Sequence, residues 1–206
     1  VRIGDSVLDL ARALGDDVFG EPSLNAFMAQ GRSRWTEVRA RITELLTASQ
    51  QGERLRGATE AALLPLAAVR LHLPFTPGDY VDFFGNEYHA ANAGRIFRPD
   101  GEPLTLNWKH MPIGYHGRSG TIVPSGTPVT RPCGQRRGAD QGSGPVFGPS
   151  RRLDFEAEVG CVVGAGSTGP VPVADFAEHV FGVFLLNDWS SRDLQAWESQ
   201  PLGPFL

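Results

Sequence analysis

Residues 153–163 read LDFEAEVGCVV, an apolar run that carries two acids, Glu156 and Glu158, one residue apart. Such a run predicts a β-strand, in which successive side chains alternate between two faces. Both glutamates then lie on one face, about 7 Å apart, while Phe155 and Ala157 lie on the other. Like charges on one face repel each other unless something neutralises them. The run predicts either a bound cation or, more simply, a strand whose acidic face is open to water.

Glycine and proline punctuate the chain, with 25 and 16 of its 206 residues, and this favours short strands and turns. Three runs after residue 72 read as strands: GTIVPSGTPVTRP (120–132), FEAEVGCVVG (155–164) and HVFGVFLLND (179–188). Residues 134–150 are rich in Gly, Pro and Ser, and we expect a mobile or disordered loop there. The fold class predicted is α+β, mostly β with some α.

The part before residue 72 has a different pattern. Apolar residues recur at helical spacing after Ser33 and predict an amphipathic helix of about four turns, with Trp35, Val38, Ile42, Leu45 and Leu46 on one face. We therefore place a domain boundary near residue 72, which gives domains 1–72 and 73–206. Because the chain opens at Val1 rather than Met, we expect the start of the first domain to be missing.

Composition excludes several classes of protein. A net charge of −4 argues against a nucleic-acid surface, and the longest apolar stretch, VFGVFLL, is too short to span a membrane. The two cysteines, Cys133 and Cys161, have neither disulfide-framework nor zinc-site spacing. A cytoplasmic protein is the simplest expectation.

Two further acids stand beside apolar sequence, Asp82 in DYVDFF and Asp188 after FGVFLLN. Each alone is more often a turn or capping residue than a ligand. If both converge with the glutamate pair, the site is all oxygen and favours Mg²⁺ or Ca²⁺. Arg192 could then balance the excess negative charge. His89, seven residues after Asp82, is either a general base or a structural histidine.

Four segments resemble, in order, the fumarylacetoacetase (fumarylacetoacetate hydrolase) family: DYVDFFGNEYHAANAGRIFR, NWKHMPIGYHGRSGTIVPSGTPV, LDFEAEVG and NDWSSRDLQAWESQPLGPFL. The resemblance extends over residues 1–72, whose IGD and LDL motifs are similar to the opening of that family. It implies a small SH3-like N-terminal domain, followed by part of a mixed β-sandwich roll.

The resemblance also implies a function. It implies an enzyme that hydrolyses a C–C bond of 4-fumarylacetoacetate to give fumarate and acetoacetate, the last step of tyrosine and phenylalanine catabolism. The implied substrate is a small diacid β-diketone, the full-length enzyme is implied to be a homodimer, and Mg²⁺ and/or Ca²⁺ are the implied cofactors.

Site residues are carried over from the resemblance by position. The implied metal ligands are Asp82, Glu156, Glu158 and Asp188, and the implied catalytic residues are His89, Arg192 and Gln195. His89 would activate water, whereas Arg192 and Gln195 would stabilise the oxyanion. The implied substrate-binding residues are Arg98, Phe84, Tyr115, Gln195 and Ser199, with Arg98 on a substrate carboxylate.

The chain departs from the family pattern at several places. Phe84 and Ser199 stand where the animal enzymes have substrate-contacting tyrosines. The chain ends at PLGPFL, where the family continues with Gly and a catalytic Lys, so we expect a truncated catalytic domain that is inactive by itself.

Two alternatives remain open at this point. One is another metal-dependent member of the superfamily, acting on acylpyruvates or small keto acids. The other is a noncatalytic β module with a structural cation, which would not need His89, Arg98 or Gln195.

Overall fold

A computed structural model describes residues 1–47, 57, 59–111, 113–138 and 142–199 of the chain. The C-terminal stretch PLGPFL, on which the expectation of truncation was based, lies outside the described residues. The strands are β1 (Arg2–Ile3), β2 (Ser6–Leu8), β3 (Leu63–Pro65), β4 (Val81–Phe83), β5 (Gly114–His116), β6 (Cys133–Arg136), β7 (Val146–Pro149), β8 (Leu153–Val163) and β9 (Val180–Ser191). The α-helices include α1 (Leu10–Leu14), α2 (Asn25–Met28), α3 (Arg32–Leu46), α4 (Glu87–Phe97), α5 (Phe176–His179) and α6 (Arg192–Glu198).

The first of two compact units comprises Val1–Thr76, Pro124–Pro128 and Asp154–Ser190. It contains an antiparallel sheet of order β1-β2-β3 and a second sheet in which β8 and β9 are neighbours. The amide of Gly164 donates to the carbonyl of His179 at 3.0 Å, which ties the end of β8 to the start of β9.

The core of this unit forms around α3. Its buried members are Phe27, Met28, Trp35 and Val38, and partly buried Val162 and Phe181 pack against them. The indole N–H of Trp35 donates to the carbonyl of Met28 at 3.0 Å, and its ring meets Phe181 edge-on at 5.2 Å. The helix predicted after Ser33 is therefore confirmed, and it packs against residues from both long strands.

The second unit comprises Pro77–Val123, Val129–Leu153 and the chain from Ser191 onwards. Here β4 pairs with β5, and β6 pairs with β7, both antiparallel. Asn86 caps the N-terminus of helix α4, and its side chain accepts a hydrogen bond from the amide of His89. Helix α6 packs on β6 through Leu194, which lies against Gly134. A Cβ on Gly134 would lie only 3.1 Å from the methyl groups of Leu194.

Two of the loop and strand predictions are corrected by this arrangement. The strand predicted over 120–132 is wrong, because the described segment has a short 3₁₀ turn at Ser119–Thr121 and no strand in 122–132. Prolines at 124, 128 and 132 each lack the N–H that a sheet ladder needs. The strands predicted at 155–164 and 179–188 are confirmed as parts of β8 and β9.

The loop predicted over 134–150 is also largely wrong. Most of β6 and all of β7 lie inside it and form a hairpin in which Gln135 opposes Phe147 and Arg136 opposes Val146. Frequent glycines lowered the apolar periodicity by which these strands could have been recognised. Residues 139–141 of that segment lie outside the described residues.

Helices alternating with small sheets confirm the coarse α+β class. The expectation of a mostly β chain is wrong, because more of the described residues are helical than lie in strands. The SH3-like domain, the β-sandwich roll and the boundary near residue 72 stay predictions. None of the helices in the described parts of the chain is both long enough and apolar enough to cross a bilayer.

Replacing Trp35, which is 8% exposed, by alanine should lower the free energy of unfolding by about 3–5 kcal/mol, because the substitution empties the centre of the core. Chemical denaturation followed by circular dichroism measures the change. Arg39→Ala, at an exposed position of the same helix, is the matched control and should stay within about 0.5 kcal/mol of the wild type. Equal losses for the two variants would contradict the assigned core.

Candidate active site

The glutamates of β8 lie on the packed face of that strand. Glu156 and Glu158 are half-buried, whereas Phe155, on the opposite face, is 63% exposed. The acidic face continues to Gly160 and to Val162, which packs against the α3 core. The shared face predicted for the two glutamates is confirmed, and it is not the solvent-facing side of the strand.

Strand β9 is the sheet neighbour of β8. Gly160 leaves room for the ring of Phe184 in β9, since a Cβ at Gly160 would lie 2.3 Å from that ring. Residues of β9 therefore lie beside the acidic face of β8. Asp188, in β9, is one of them, and it is half-buried like the glutamates.

Carboxylate oxygens of Glu158 and Asp188, both in the first unit, lie within 4.8 Å of each other. Glu156, on the same face of β8 as Glu158, accepts a hydrogen bond of 3.3 Å from the hydroxyl of Ser190. Two half-buried carboxylates at this spacing repel each other unless protons or a cation neutralise them.

The pair suits a hard divalent cation. Both groups are carboxylates, and Mg²⁺ and Ca²⁺ prefer oxygen ligands, at about 2.0–2.1 Å and 2.3–2.6 Å respectively. Two oxygens bound to one ion are separated by at most about twice that length, which is about 4.2 Å for Mg²⁺ and about 5.2 Å for Ca²⁺. The spacing of Glu158 and Asp188, within 4.8 Å, lies inside the limit for Ca²⁺, whereas Mg²⁺ requires the oxygens to be within about 4.2 Å.

Asp82 is oriented by its neighbour across the sheet. In the antiparallel pair of β4 and β5 it lies opposite Tyr115, whose hydroxyl donates to Asp82 Oδ2 at 2.7 Å. Tyr115 was predicted as part of the pocket wall, and its contact with a candidate ligand was missed. These residues are 33 positions apart, and no local pattern indicates which strands pair.

His89 and Arg98 lie at opposite ends of α4. The exposed imidazole of His89, in the first turn, meets the ring of Phe84 edge-on at 5.4 Å. Arg98 follows the last turn and donates to the carbonyl of Pro103 at 2.9 Å. Gly94 is required there, since a Cβ would lie 1.8 Å from the oxygen of Pro103.

Helix α6 carries the remaining predicted residues. Arg192 is its first residue, and its guanidinium donates to the side-chain oxygen of Gln195 at 3.3 Å. Ser199 follows the helix and donates its amide to the carbonyl of Gln195 at 2.9 Å. A spacing of three and then four residues places all three on one side of the helix.

Sequence reasoning missed Asp193, which lies between two of these residues. Its side chain is 15% exposed. It accepts hydrogen bonds from the hydroxyl of Ser150 at 2.7 Å, the amide of Arg151 at 2.8 Å and the hydroxyl of Ser191 at 3.1 Å. Acidic residues are common in the first turn of a helix, so nothing in the sequence distinguished Asp193 from an ordinary first-turn acid.

The pKa of Asp193 is lowered well below the ordinary value of 3.8. Burial raises the pKa, but the hydrogen bonds from Arg151, Ser150 and Ser191 favour the charged form and together outweigh burial. The carboxylate is therefore ionised at neutral pH.

Comparison with known proteins gives whole-chain matches. Residues 1–74 match the family described as "Fumarylacetoacetase N-terminal", and residues 81–206 match "Fumarylacetoacetate (FAA) hydrolase C-terminal". Proteins named fumarylacetoacetase are similar to the chain: that of Mus musculus is 46% identical, that of Bos taurus 45% and that of Homo sapiens 44%. Each alignment covers 100% of this chain and 52% of the relative. The chain thus spans about half the length of the curated relatives it matches.

Replacing Glu158 by glutamine should weaken divalent-cation binding by the full-length protein at least about tenfold, because it removes a negative charge and replaces a carboxylate oxygen by a weaker, uncharged amide oxygen. Isothermal titration with Mg²⁺ and with Mn²⁺ as a probe measures the dissociation constant. Asp175→Asn, which changes an exposed acid of the same unit, is the control and should bind like the wild type. Unchanged affinity in Glu158→Gln would remove Glu158 from the site.

Proposed function

This chain belongs to the fumarylacetoacetate hydrolase family, and from that premise we propose that the protein hydrolyses a carbon–carbon bond of 4-fumarylacetoacetate to fumarate and acetoacetate. The observation that carries the proposal is similarity over the whole chain to proteins named fumarylacetoacetase. The reaction would be the last step of tyrosine and phenylalanine catabolism, and the substrate a small diacid β-diketone.

Metal dependence is a general property of the family. We propose Asp82, Glu156, Glu158 and Asp188 as the ligands of Mg²⁺ or Ca²⁺. The close spacing of Glu158 and Asp188 supports the proposal, as does the position of Glu156 on the same face of β8 as Glu158. When bound, a divalent cation stabilises negative charge that develops on keto oxygens of the substrate.

His89 is the proposed general base. Hydrolysis of a β-diketone begins when water loses a proton as its oxygen attacks a carbonyl carbon, and an imidazole suits that proton transfer. The exposed ring leaves its polar edge accessible to a water molecule, and the contact with Phe84 limits how the ring can turn. The carbon–carbon bond then breaks, and the departing carbon takes up a proton.

Arg192 and Gln195 are the proposed donors to the tetrahedral oxyanion. The contact of 3.3 Å between their side chains holds the guanidinium and the amide together at the start of α6. Donors fixed before the reaction stabilise developing charge without reorganisation. Arg98 is proposed to bind a substrate carboxylate, and Phe84, Tyr115 and Ser199 to line the pocket.

We also propose the finer features implied by the sequence: an SH3-like domain over residues 1–72, a β-roll from residue 73, a homodimer and a cytoplasmic location. The separate family matches to residues 1–74 and 81–206 support the division. The free thiols of Cys133 and Cys161 support a reducing compartment.

The full-length protein with Mg²⁺ should consume 4-fumarylacetoacetate, measured by loss of its absorbance, and a chelator should stop the loss. Turnover of acylpyruvates but not of this substrate would favour the other superfamily activity. Metal binding without turnover of any of these compounds would favour a noncatalytic module.

His89→Ala should lower kcat by about 10²–10⁴-fold, the usual contribution of a general base, while Mn²⁺ binds as tightly as to the wild type. His110→Ala, at another exposed histidine of the same unit, is the matched control and should keep the wild-type rate. An unchanged kcat in His89→Ala would show that His89 is not the base.

A further inference from the structure

Helix α6 has two faces with different contacts. One face bears Arg192 and Gln195, the proposed oxyanion donors. The other is fixed to β6: Leu194 is 8% exposed and lies against Gly134, and the indole N–H of Trp197 donates to the side-chain oxygen of Gln135 at 3.3 Å. Asp193 belongs to this fixed side, directly beside Arg192.

The contacts of Asp193 join separate parts of the chain. Ser150 and Arg151 follow β7, whereas Ser191 precedes α6, and all three donate to the same carboxylate. The backbone adds a parallel link, since the amide of Arg192 donates to the carbonyl of Arg152 at 2.9 Å. The first turn of α6 is therefore tied to the segment between β7 and β8.

Arg136 balances the charge of this carboxylate. It is buried in β6, and its Nε lies 3.9 Å from Asp193 Oδ2. Among the described residues, that Nε has no hydrogen-bond partner. A buried guanidinium left without its counter-charge costs free energy, so removing the charge of Asp193 also affects Arg136.

A helix as short as α6 needs such an anchor. It has seven residues, and Ser191 at its N-terminus makes no side-chain capping bond to it. Isolated helices of this length are unstable in water, so tertiary contacts must determine where the helix lies. The hydrogen bonds of Asp193 are the polar part of those contacts.

We propose that Asp193 is a positioning residue that fixes the first turn of α6 so that Arg192 and Gln195 meet the oxyanion. The inference rests on the proposed function, because it is through these donors that Asp193 acts. A carboxylate is needed because three donors converge on it. Asparagine would turn one acceptor atom into a donor and would leave Arg136 unbalanced.

A double-mutant cycle in the full-length protein tests this role. Asp193→Asn alone should lower kcat by about 10–100-fold, and Arg192→Ala by about 100-fold, as for loss of one oxyanion donor. If Asp193 acts through Arg192, Asp193→Asn should have little further effect on kcat once Arg192 has been replaced. Adding Asp193→Asn to Arg192→Ala should then lower kcat by less than about threefold. The Mn²⁺ dissociation constant should stay within about twofold throughout.

Two further variants separate positioning from stability. Ser150→Ala removes one hydrogen-bond donor to Asp193 and should lower kcat by a smaller factor than Asp193→Asn does. The decrease should again occur only when Arg192 is present. This variant decides the question if Asp193→Asn does not fold. Val38→Ala destabilises the α3 core and should leave kcat unchanged.

Several outcomes would overturn the proposal. Asp193→Asn and Ser150→Ala with wild-type kcat would do so, as would equal fold-losses in the presence and absence of Arg192. A wild-type protein that does not hydrolyse 4-fumarylacetoacetate would instead refute the proposed function, and with it this role. A wild-type rate in Arg192→Ala would refute the oxyanion assignment.

Discussion

Repulsion between carboxylates held on the packed face of β8 is the constraint on which the rest of the site depends. Glu158 lies on the same face of β8 as Gly160, which meets Phe184, and Val162, which packs against the α3 core. The same packing brings Asp188 of β9 close to Glu158. Hydrophobic burial thus holds like charges together, and a divalent cation relieves the repulsion.

The chain stabilises half-buried and buried carboxylates in two different ways. Glu158 and Asp188 offer neighbouring oxygens that can bind one ion, whereas Asp193 receives three hydrogen bonds and lies near Arg136. The hydrogen bonds of Asp193 tie the first turn of α6 to the segment between β7 and β8. This difference separates a proposed cofactor site from a proposed positioning residue, although both contain partly buried anions.

Local periodicity predicted the elements that form the core and the acidic face. Helix α3, the strands β8 and β9, and the shared face of Glu156 and Glu158 all follow from side-chain spacing within one segment. The pairing of β4 with β5 and the contacts of Asp193 were missed, because the partners lie 33 and about 42 residues apart. Predictions for the proline-rich and glycine-rich segments were wrong in both directions. A strand was predicted over 120–132, where the prolines prevent one, and a loop was predicted over 134–150, where β6 and β7 form a hairpin.

Anomalous diffraction from crystals of the full-length protein grown with Mn²⁺ tests the central claim most directly. The account predicts a strong anomalous peak at about 2.0–2.6 Å from carboxylate oxygens of both Glu158 and Asp188. A map with no peak at these side chains, at a Mn²⁺ concentration that saturates the protein in solution, would contradict it. The acids on the packed face would then be neutralised by protons or by other protein groups, and the cation would have no role there.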